Sequence, residues 1–555
     1  MAAAEDVSYG LGLAGVDPAA LGRALVAAGF GVARRPERLA QAGLGLALEE
    51  SRVALGVARR ILGADEEPAV RPEEGDRRFA DPAWTGNPFL LGLLESYLVT
   101  ARWAQGLVDS ADLDPVSKRK ASFAAGLLFD ALSPSNVPWL NPAVVKRAID
   151  TGGLSVARGF ANWLEDLVEN RGRPRQVDRS GFELGKNLAA TPGRVVFRNE
   201  LIELIAYEPQ TETVFARPLV YSPAWINKYY VLDLAPGRSF IEHAVARGFT
   251  VFAIGYRNPD ASMAALTLDE YLRDGLFAAL DRASELTSSD AVDLIGVCIG
   301  GTLATMGLGV LAARGEADRV GSATLLNTLV DFGDPGEIGI FTDEATIERI
   351  ERRNTGRGYA DSVEISGTFD LLRAADLIWA YVVANWYMGE QPPAFDILAW
   401  NADATRLPAA MHSQFLRACY LENRLEDGTF EIDGTPVEPA RIETPLYVLT
   451  SEKDHIAPWR SAYRTTQLVG GDVRHVLASG GHIAGMVSPP SSAKAFHYVN
   501  SHLAAEPEAW LRAAERVDGS WWDDWAAWAE PRAGERVPPP LLPDGEPAPG
   551  RYARE

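Results

Sequence analysis

Cysteine is the scarcest signal in this sequence: among 555 residues only Cys298 and Cys419 occur. Two thiols exclude a disulfide framework and a zinc site built from several thiolates, and a working thiol suits a reducing cytoplasm. Positive charge is also short, with 53 Lys and Arg against 75 Asp and Glu and a formal net charge of -22. That balance argues against a nucleic-acid partner and against general attraction to anionic lipid. No uninterrupted apolar run reaches the roughly 18 residues that a membrane span needs. The start, Met-Ala-Ala-Ala-Glu-Asp, lacks the basic and long apolar stretches of a secretory signal. What is present is the composition of a globular protein, 47% hydrophobic and 23% charged, long enough for one large domain and an extra segment. Neither a metal nor a cofactor is expected.

Residues 1–75 read as an amphipathic segment, with apolar residues at helical spacing from Leu21 to Leu62. Such helices pack on their own chain or dock on a partner or hydrophobic particle. Residues 64–76 are acidic and Pro-bearing, like a linker, and residues 76–180 read as a helical domain. Its breakers, Trp84-Thr-Gly-Asn-Pro88 and Ser133-Pro-Ser-Asn-Val-Pro-Trp139, suit capping and packing. After Gly181 short β-branched runs alternate with helical patterns: Val195–Phe197, Leu201–Tyr207, Pro218–Tyr221, Thr250–Ile254, Val292–Val297, Ser322–Leu326, Pro445–Thr450 and Val473–Leu477. This alternation predicts an α/β domain over 181–530, with a mostly parallel, doubly wound sheet. Between about 332 and 442 the strand rhythm lapses into aromatic-rich helical patterns. The expectation is an inserted helical cap that excludes water from the site; helices on the sheet's outer face would give the same pattern. The tryptophans from Trp510 to Trp528 read as a helical packing surface, and the Pro-rich tail 531–555 is expected to be mobile.

The chain is organised around Val292-Asp-Leu-Ile-Gly-Val-Cys298-Ile-Gly-Gly-Thr-Leu303, a strand pattern that turns tightly into a helix pattern. This is a nucleophile elbow with sulfur at its apex, Gly296 and Gly300 taking the two small positions. The following helix would aim its N-terminal amides at Cys298, favouring the thiolate and supplying part of an oxyanion hole through Ile299. A buried structural cysteine is the plainer alternative. A thiol attacks only as thiolate, so it needs a base, and the base needs a carboxylate. Asp454 follows one strand pattern, and His482 sits in a glycine-flanked loop after another. The order nucleophile, acid, histidine is that of α/β-hydrolases. The other histidines fit worse: His243 lies in a helical pattern, His475 inside a strand, His412 in the cap, and His497 and His502 in a terminal helix. His455 adjoins Asp454 and stays as a supporting residue.

With these residues in place the chain resembles the polyhydroxyalkanoate synthases of the single-subunit type, bacterial polyester polymerases. The similarity runs from about Phe79 to Trp528. It is carried by Asn-Pro-Phe-Leu (87–90), Phe182 with Gly-Lys-Asn-Leu-Ala (185–189) and Thr-Pro-Gly (191–193), Pro-Ala-Trp-Ile-Asn-Lys-Tyr-Tyr (223–230), Arg-Asn-Pro (257–259) and Gly-Val-Cys-Ile-Gly-Gly-Thr (296–302). Further on come Phe-Asp-Ile-Leu-Ala-Trp-Asn-Ala-Asp (395–403), Asp-His-Ile-Ala-Pro-Trp (454–459), Ser-Gly-Gly-His-Ile-Ala-Gly (479–485) and Gly-Ser-Trp-Trp (519–522). The family's catalytic cysteine, aspartate and histidine fall on Cys298, Asp454 and His482. The loop 223–228 takes the place of the segment that completes an oxyanion hole, through Trp225 and Ile226. Arg373 is a candidate contact for a CoA phosphate, or a surface ion pair. Tyr256 and Asp523 stand where many relatives have tryptophan and proline. The resemblance implies (R)-3-hydroxyacyl-CoA substrates, CoA as product, and a homodimer at the surface of cytoplasmic polyester inclusions, with granule-associated proteins as further partners. A cysteine hydrolase on the same fold, or a non-catalytic granule-associated homologue, would share much of this pattern.

Overall fold

The computed structural model describes residues 18–73 and 75–555, and the reading of the first six residues lies outside them. The chain divides into two units. One holds the residues up to Asp178 together with Val363–Pro393, the other Arg179–Ser362 with Ala394–Glu555.

The first unit is helical: α1 (Pro18–Ala33), α2 (Pro36–Ile61), α3 (Pro88–Ser110), α4 (Pro115–Ala131), α5 (Pro142–Asp150) and α6 (Leu154–Glu169). Helices α3, α4 and α5 each begin with proline, whose missing N–H costs nothing at that position. Asn87, Asp114 and Asn141 cap them by accepting from two backbone amides each. The Asn-Pro breakers are thus capping features, and Trp84 beside the first is fully buried. Helix α1 packs on its own chain, with Ala24, Ala28 and Val32 against Val108, Ala121 and Ala125.

Residues 363–393 depart from the expectation of one continuous cap over 332–442. They join α6, where a Cβ on Gly159 would lie 2.1 Å from the Trp386 carbonyl oxygen. Asn162 donates to the carbonyls of Asn385 and Glu390, each at 3.0 Å, and Trp386 Nε1 donates to Asp166 at 2.8 Å. The buried Asn162 of α6 thus satisfies two backbone carbonyls of this irregular segment.

The second unit is built on a ten-stranded sheet. Its strands are β1 (Gly193–Arg198), β2 (Ile202–Tyr207), β3 (Leu219–Ser222), β4 (Val251–Tyr256), β5 (Val292–Val297), β6 (Val320–Leu326), β7 (Leu446–Ser451), β8 (Val473–Ala478), β9 (Phe496–Val499) and β10 (Glu515–Asp518). The spatial order is β1-β2-β4-β3-β5-β6-β7-β8-β9-β10. From β4 to β8 neighbouring strands are parallel, while β1, β2, β9 and β10 pair antiparallel. Every residue of β2, β4, β5 and β7 is buried, as a sheet covered on both faces requires. The expected α/β class and mostly parallel sheet are therefore met. His497 lies in β9 rather than in a terminal helix.

Residues 332–362 and 394–442 stay with the sheet, adding the helices Glu344–Arg357, Asp396–Asn401 and Ala409–Phe415. The Pro-rich tail is not loose. Val537 and Arg536 pair with Val214 and Phe215, Glu546 accepts from the Val195 amide at 2.8 Å, and Ala548 donates to Gly193 at 2.9 Å. Tyr552 and Ala553 are buried. A Cβ on Gly545 would lie 1.9 Å from the Val195 carbonyl, so the side-chain-free backbone lets the tail lie against the outer edge of β1.

Candidate active site

Strand β5 ends at Val297, and Cys298 turns the chain with φ 52° and ψ -125° into helix α7 (Ile299–Arg314). That left-handed conformation is strained for a residue with a side chain. Close packing around it over-determines the turn. A Cβ on Gly296 would sit 2.4 Å from Gly301 Cα, one on Gly300 2.3 Å from the Pro223 carbonyl oxygen, and one on Gly301 1.9 Å from Thr328 Oγ1. The Cys298 amide donates to Leu326 at 2.9 Å, tying the apex to β6. The three glycines leave no slack, and the Cys298 side chain stands at the carboxyl end of the parallel strands, where ligands bind in such sheets.

Asp454 and His482 converge on this point. After β7, a tight turn brings the Asp454 carboxylate in, and its Oδ1 accepts from the amides of Ile456 and Ala457, each at 2.9 Å. Its Oδ2 lies 2.7 Å from His482 Nδ1, which leaves Nε2 for Cys298, with which His482 also hydrogen-bonds. Burial works against the imidazolium, but the Asp454 carboxylate, the Cys298 sulfur and the hydrogen bonds to both outweigh it and hold the His482 pKa well above its ordinary value. Two residues that sequence reasoning passed over fix this loop. Asn327, at the end of β6 with φ 47°, donates from Nδ2 to the His482 carbonyl at 2.6 Å and accepts from Ser451 Oγ at 3.1 Å. An asparagine directly after a strand is the only hint the sequence offers.

The loop 223–228 follows β3, whose Ser222 pairs in register with Gly296; Ser222 Oγ donates to the Gly300 carbonyl at 3.2 Å. The loop therefore lies against the first turn of α7. Two of its carbonyls are taken by Thr405: Ile226 accepts from the Thr405 amide at 2.9 Å, and Trp225 from Thr405 Oγ1. Trp225 also begins an aromatic wall. Its ring lies 6.0 Å from Phe415, which lies 5.6 Å from Tyr420 and 6.0 Å from Phe332. The buried Tyr420 phenol has its pKa raised by burial, with Cys298 and Cys419 acting in the same direction. Cys419 itself is fully buried, and burial pushes its thiol far up, which marks it as a packing residue.

The other expected positions make contacts of their own. His455 is half-buried in the turn after Asp454, with its carbonyl directed at Gly336. Arg373 belongs to the helical unit and pairs there with Asp376. Tyr256 stacks on Tyr271 at 5.2 Å, and Asp523 pairs with Arg247 at 2.8 Å. Among the described residues no group of three or more His, Cys, Asp or Glu could hold a metal ion, and no helix is long and apolar enough to cross a membrane.

A sheet of this order with a nucleophile elbow and an acid and a histidine on later strand ends defines an α/β-hydrolase fold, and the family model of that description matches residues 232–489. The model described as the poly-beta-hydroxybutyrate polymerase N-terminus matches residues 75–244. The chain is 41% identical over 528 residues to the poly(3-hydroxyalkanoate) polymerase of Methylorubrum extorquens, covering 94% of this chain and 87% of that one. It is 42% identical over 491 residues to the poly(3-hydroxyalkanoate) polymerase subunit PhaC of Cupriavidus necator, covering 86% and 83%. With poly(3-hydroxyalkanoate) polymerase 2 of Ectopseudomonas oleovorans it shares 41% over 508 residues, 90% of each. The chain belongs to the poly(3-hydroxyalkanoate) polymerase family and is an acyltransferase.

Proposed function

We propose that the chain polymerises (R)-3-hydroxyacyl-CoA thioesters through an acyl-enzyme on Cys298. The observation that carries this reading is a thiol at a strained elbow, joined to an imidazole whose other nitrogen is 2.7 Å from a buried carboxylate. Cys298 loses its proton to His482, and the thiolate attacks the thioester carbonyl. CoA leaves with the proton that His482 returns. The exchange of one thioester for another keeps the acyl group activated. His482 then takes the proton of an incoming 3-hydroxyl, whose oxygen attacks the Cys298 thioester; the ester bond forms and the thiolate is released. The amides of Ile299, Trp225 and Ile226 meet the carbonyl oxygen as it gains charge. The aromatic wall of Phe332, Phe415 and Tyr420, supplied by the segments 332–362 and 394–442, acts as the cap that favours the hydroxyl over water.

The same reading places the protein as a homodimer at the surface of cytoplasmic polyester inclusions, alone or with granule-associated proteins. Supporting it, the helical unit exposes large apolar side chains on and beside α5 and α6, among them Trp139, Ile149, Phe160 and Val168. The test is to incubate the purified protein with 3-hydroxybutyryl-CoA and to follow CoA and insoluble polyester. CoA with polyester is expected. CoA with free acid alone would make the protein a hydrolase, and no CoA release would leave it without catalysis.

A further inference from the structure

Lys228, the last residue of the loop 223–228, is buried, yet among the described residues no carboxylate takes its ammonium group in an ion pair. Its Nζ instead donates to the carbonyl of Tyr552 at 2.6 Å, across 324 residues of sequence. Tyr552 is itself fastened: its amide donates to Glu203 Oε2 at 2.9 Å and its hydroxyl to the Asn199 carbonyl at 2.8 Å. Glu203 is fully buried and also takes the Arg198 guanidinium. The close fit depends on Gly550, with φ 79°, where a Cβ would lie 2.5 Å from Glu203 Oε2 and 2.8 Å from Val195 Cγ2. At its other side Lys228 is held through its backbone, the amide donating to Asp403 at 3.2 Å and the carbonyl accepting from Trp400 Nε1 at 2.8 Å.

We infer that residues 545–553 are a positioning element of the catalytic loop: the tail holds Lys228, and through it the backbone that presents Trp225 and Ile226 to the reacting carbonyl. The inference rests on the proposed acyl transfer for its catalytic consequence, but the clamp itself stands on the contacts just described. A buried lysine ammonium costs free energy unless a polar partner meets it; the carboxylates of Asp403, Glu555 and Glu203 act on it through space, and the tail carbonyl takes its hydrogen bond. Removing the partner therefore frees Lys228 to turn outward and takes the loop with it. Lys228 and Tyr552 act through the loop and need not touch substrate.

Two single variants and their combination test this in the full chain. Gly550→Ala lifts residues 551–553 from Glu203 without deleting them, and Lys228→Met removes the ammonium while keeping the apolar stem. Both are expected to raise hydrogen exchange at amides 224–228 and to slow single-turnover release of CoA by roughly 10-fold or more, since loss of one oxyanion donor outright costs about 10²–10³. The KM for 3-hydroxybutyryl-CoA should stay within about twofold, because the loop acts on the transition state. The double variant should be no slower than Lys228→Met alone, because both changes break one contact. Unchanged exchange at 224–228, additive losses, or exchange rising equally through β5 and α7 would each overturn the inference. If the wild-type chain released no CoA, the proposed function would fail, and the exchange measurement would still decide the clamp.

Discussion

At the scale of single residues the three groups at the elbow differ in what they can lose. Cys298→Ala should abolish acylation and polymer formation, because no other side chain can carry the thioester. His482→Gln should nearly abolish acylation by leaving the sulfur as thiol. Asp454→Asn keeps thiol and imidazole, so one acyl transfer should survive while elongation, which needs repeated deprotonation of a weakly acidic hydroxyl, falls much further. Single-turnover acylation set against steady-state CoA release measures the difference, and His455→Ala should cost less than His482→Gln in both. The raised pKa of His482 adds a pH dependence with a definite sign. The imidazolium persists above pH 6.5, so turnover by neutral His482 should rise with pH through a limb lying above 6.5. Asp454→Asn removes the main group that holds the proton on, and the limb in the steady-state profile should move to lower pH.

At the scale of elements the elbow is a packing device as much as a catalytic one. Gly300→Ala would drive a Cβ into the Pro223 carbonyl, 2.3 Å away, and must separate α7 from the loop 223–228. A misplacement of about 1 Å costs roughly 10²-fold in rate, so CoA release should fall by that order while far-ultraviolet circular dichroism stays unchanged. A second junction lies behind the loop. Asp233 is fully buried and accepts from Thr191, from Ser239, which also caps the helix Phe240–Ala246, and from Tyr207 of β2. Burial raises its pKa to about 7 despite these hydrogen bonds. The folded state then keeps a proton that the unfolded chain gives up near pH 4, so stability is full below that pH and declines until about 7. A shift of this size is worth on the order of 4 kcal/mol. Asp233→Asn should flatten the fall of the unfolding midpoint between pH 4 and 7, read by thermal denaturation. These two junctions also mark how far the sequence could be read. The elbow is legible because its glycines and cysteine lie within a few residues, and the acid and histidine follow strands with clear apolar runs. Asp233, Asn327 and Thr405 are not, because each acts only through partners that folding brings together.

For the whole molecule, the expected helical region and α/β core are both present, but the boundary between them is not linear in the chain. Residues 363–393 look like their neighbours in composition, and partners that folding brings to them, such as Asn162 and Asp166 on α6 and Arg173 and Gln176 after it, assign them to the helical unit. Strands β9 and β10 are four residues each, too short for alternation to stand out. The exposed apolar side chains of α5 and α6 bear on assembly. If the working form is a dimer at a growing polyester surface, specific activity should rise with protein concentration and show a lag that added polymer shortens. Sedimentation of fully active monomers without a lag at all concentrations would contradict that. The tail has a consequence in time. Strand β1 leaves the ribosome with one edge bare, and its cover includes Glu546, whose carbonyl takes the Val195 amide from about 350 residues further along the chain. At translation speeds of about 5–20 residues per second the wait is about 20–70 s. Throughout that interval a bare strand edge is a template for the wrong neighbour, so the nascent chain's need for chaperones is set by how fast it is made.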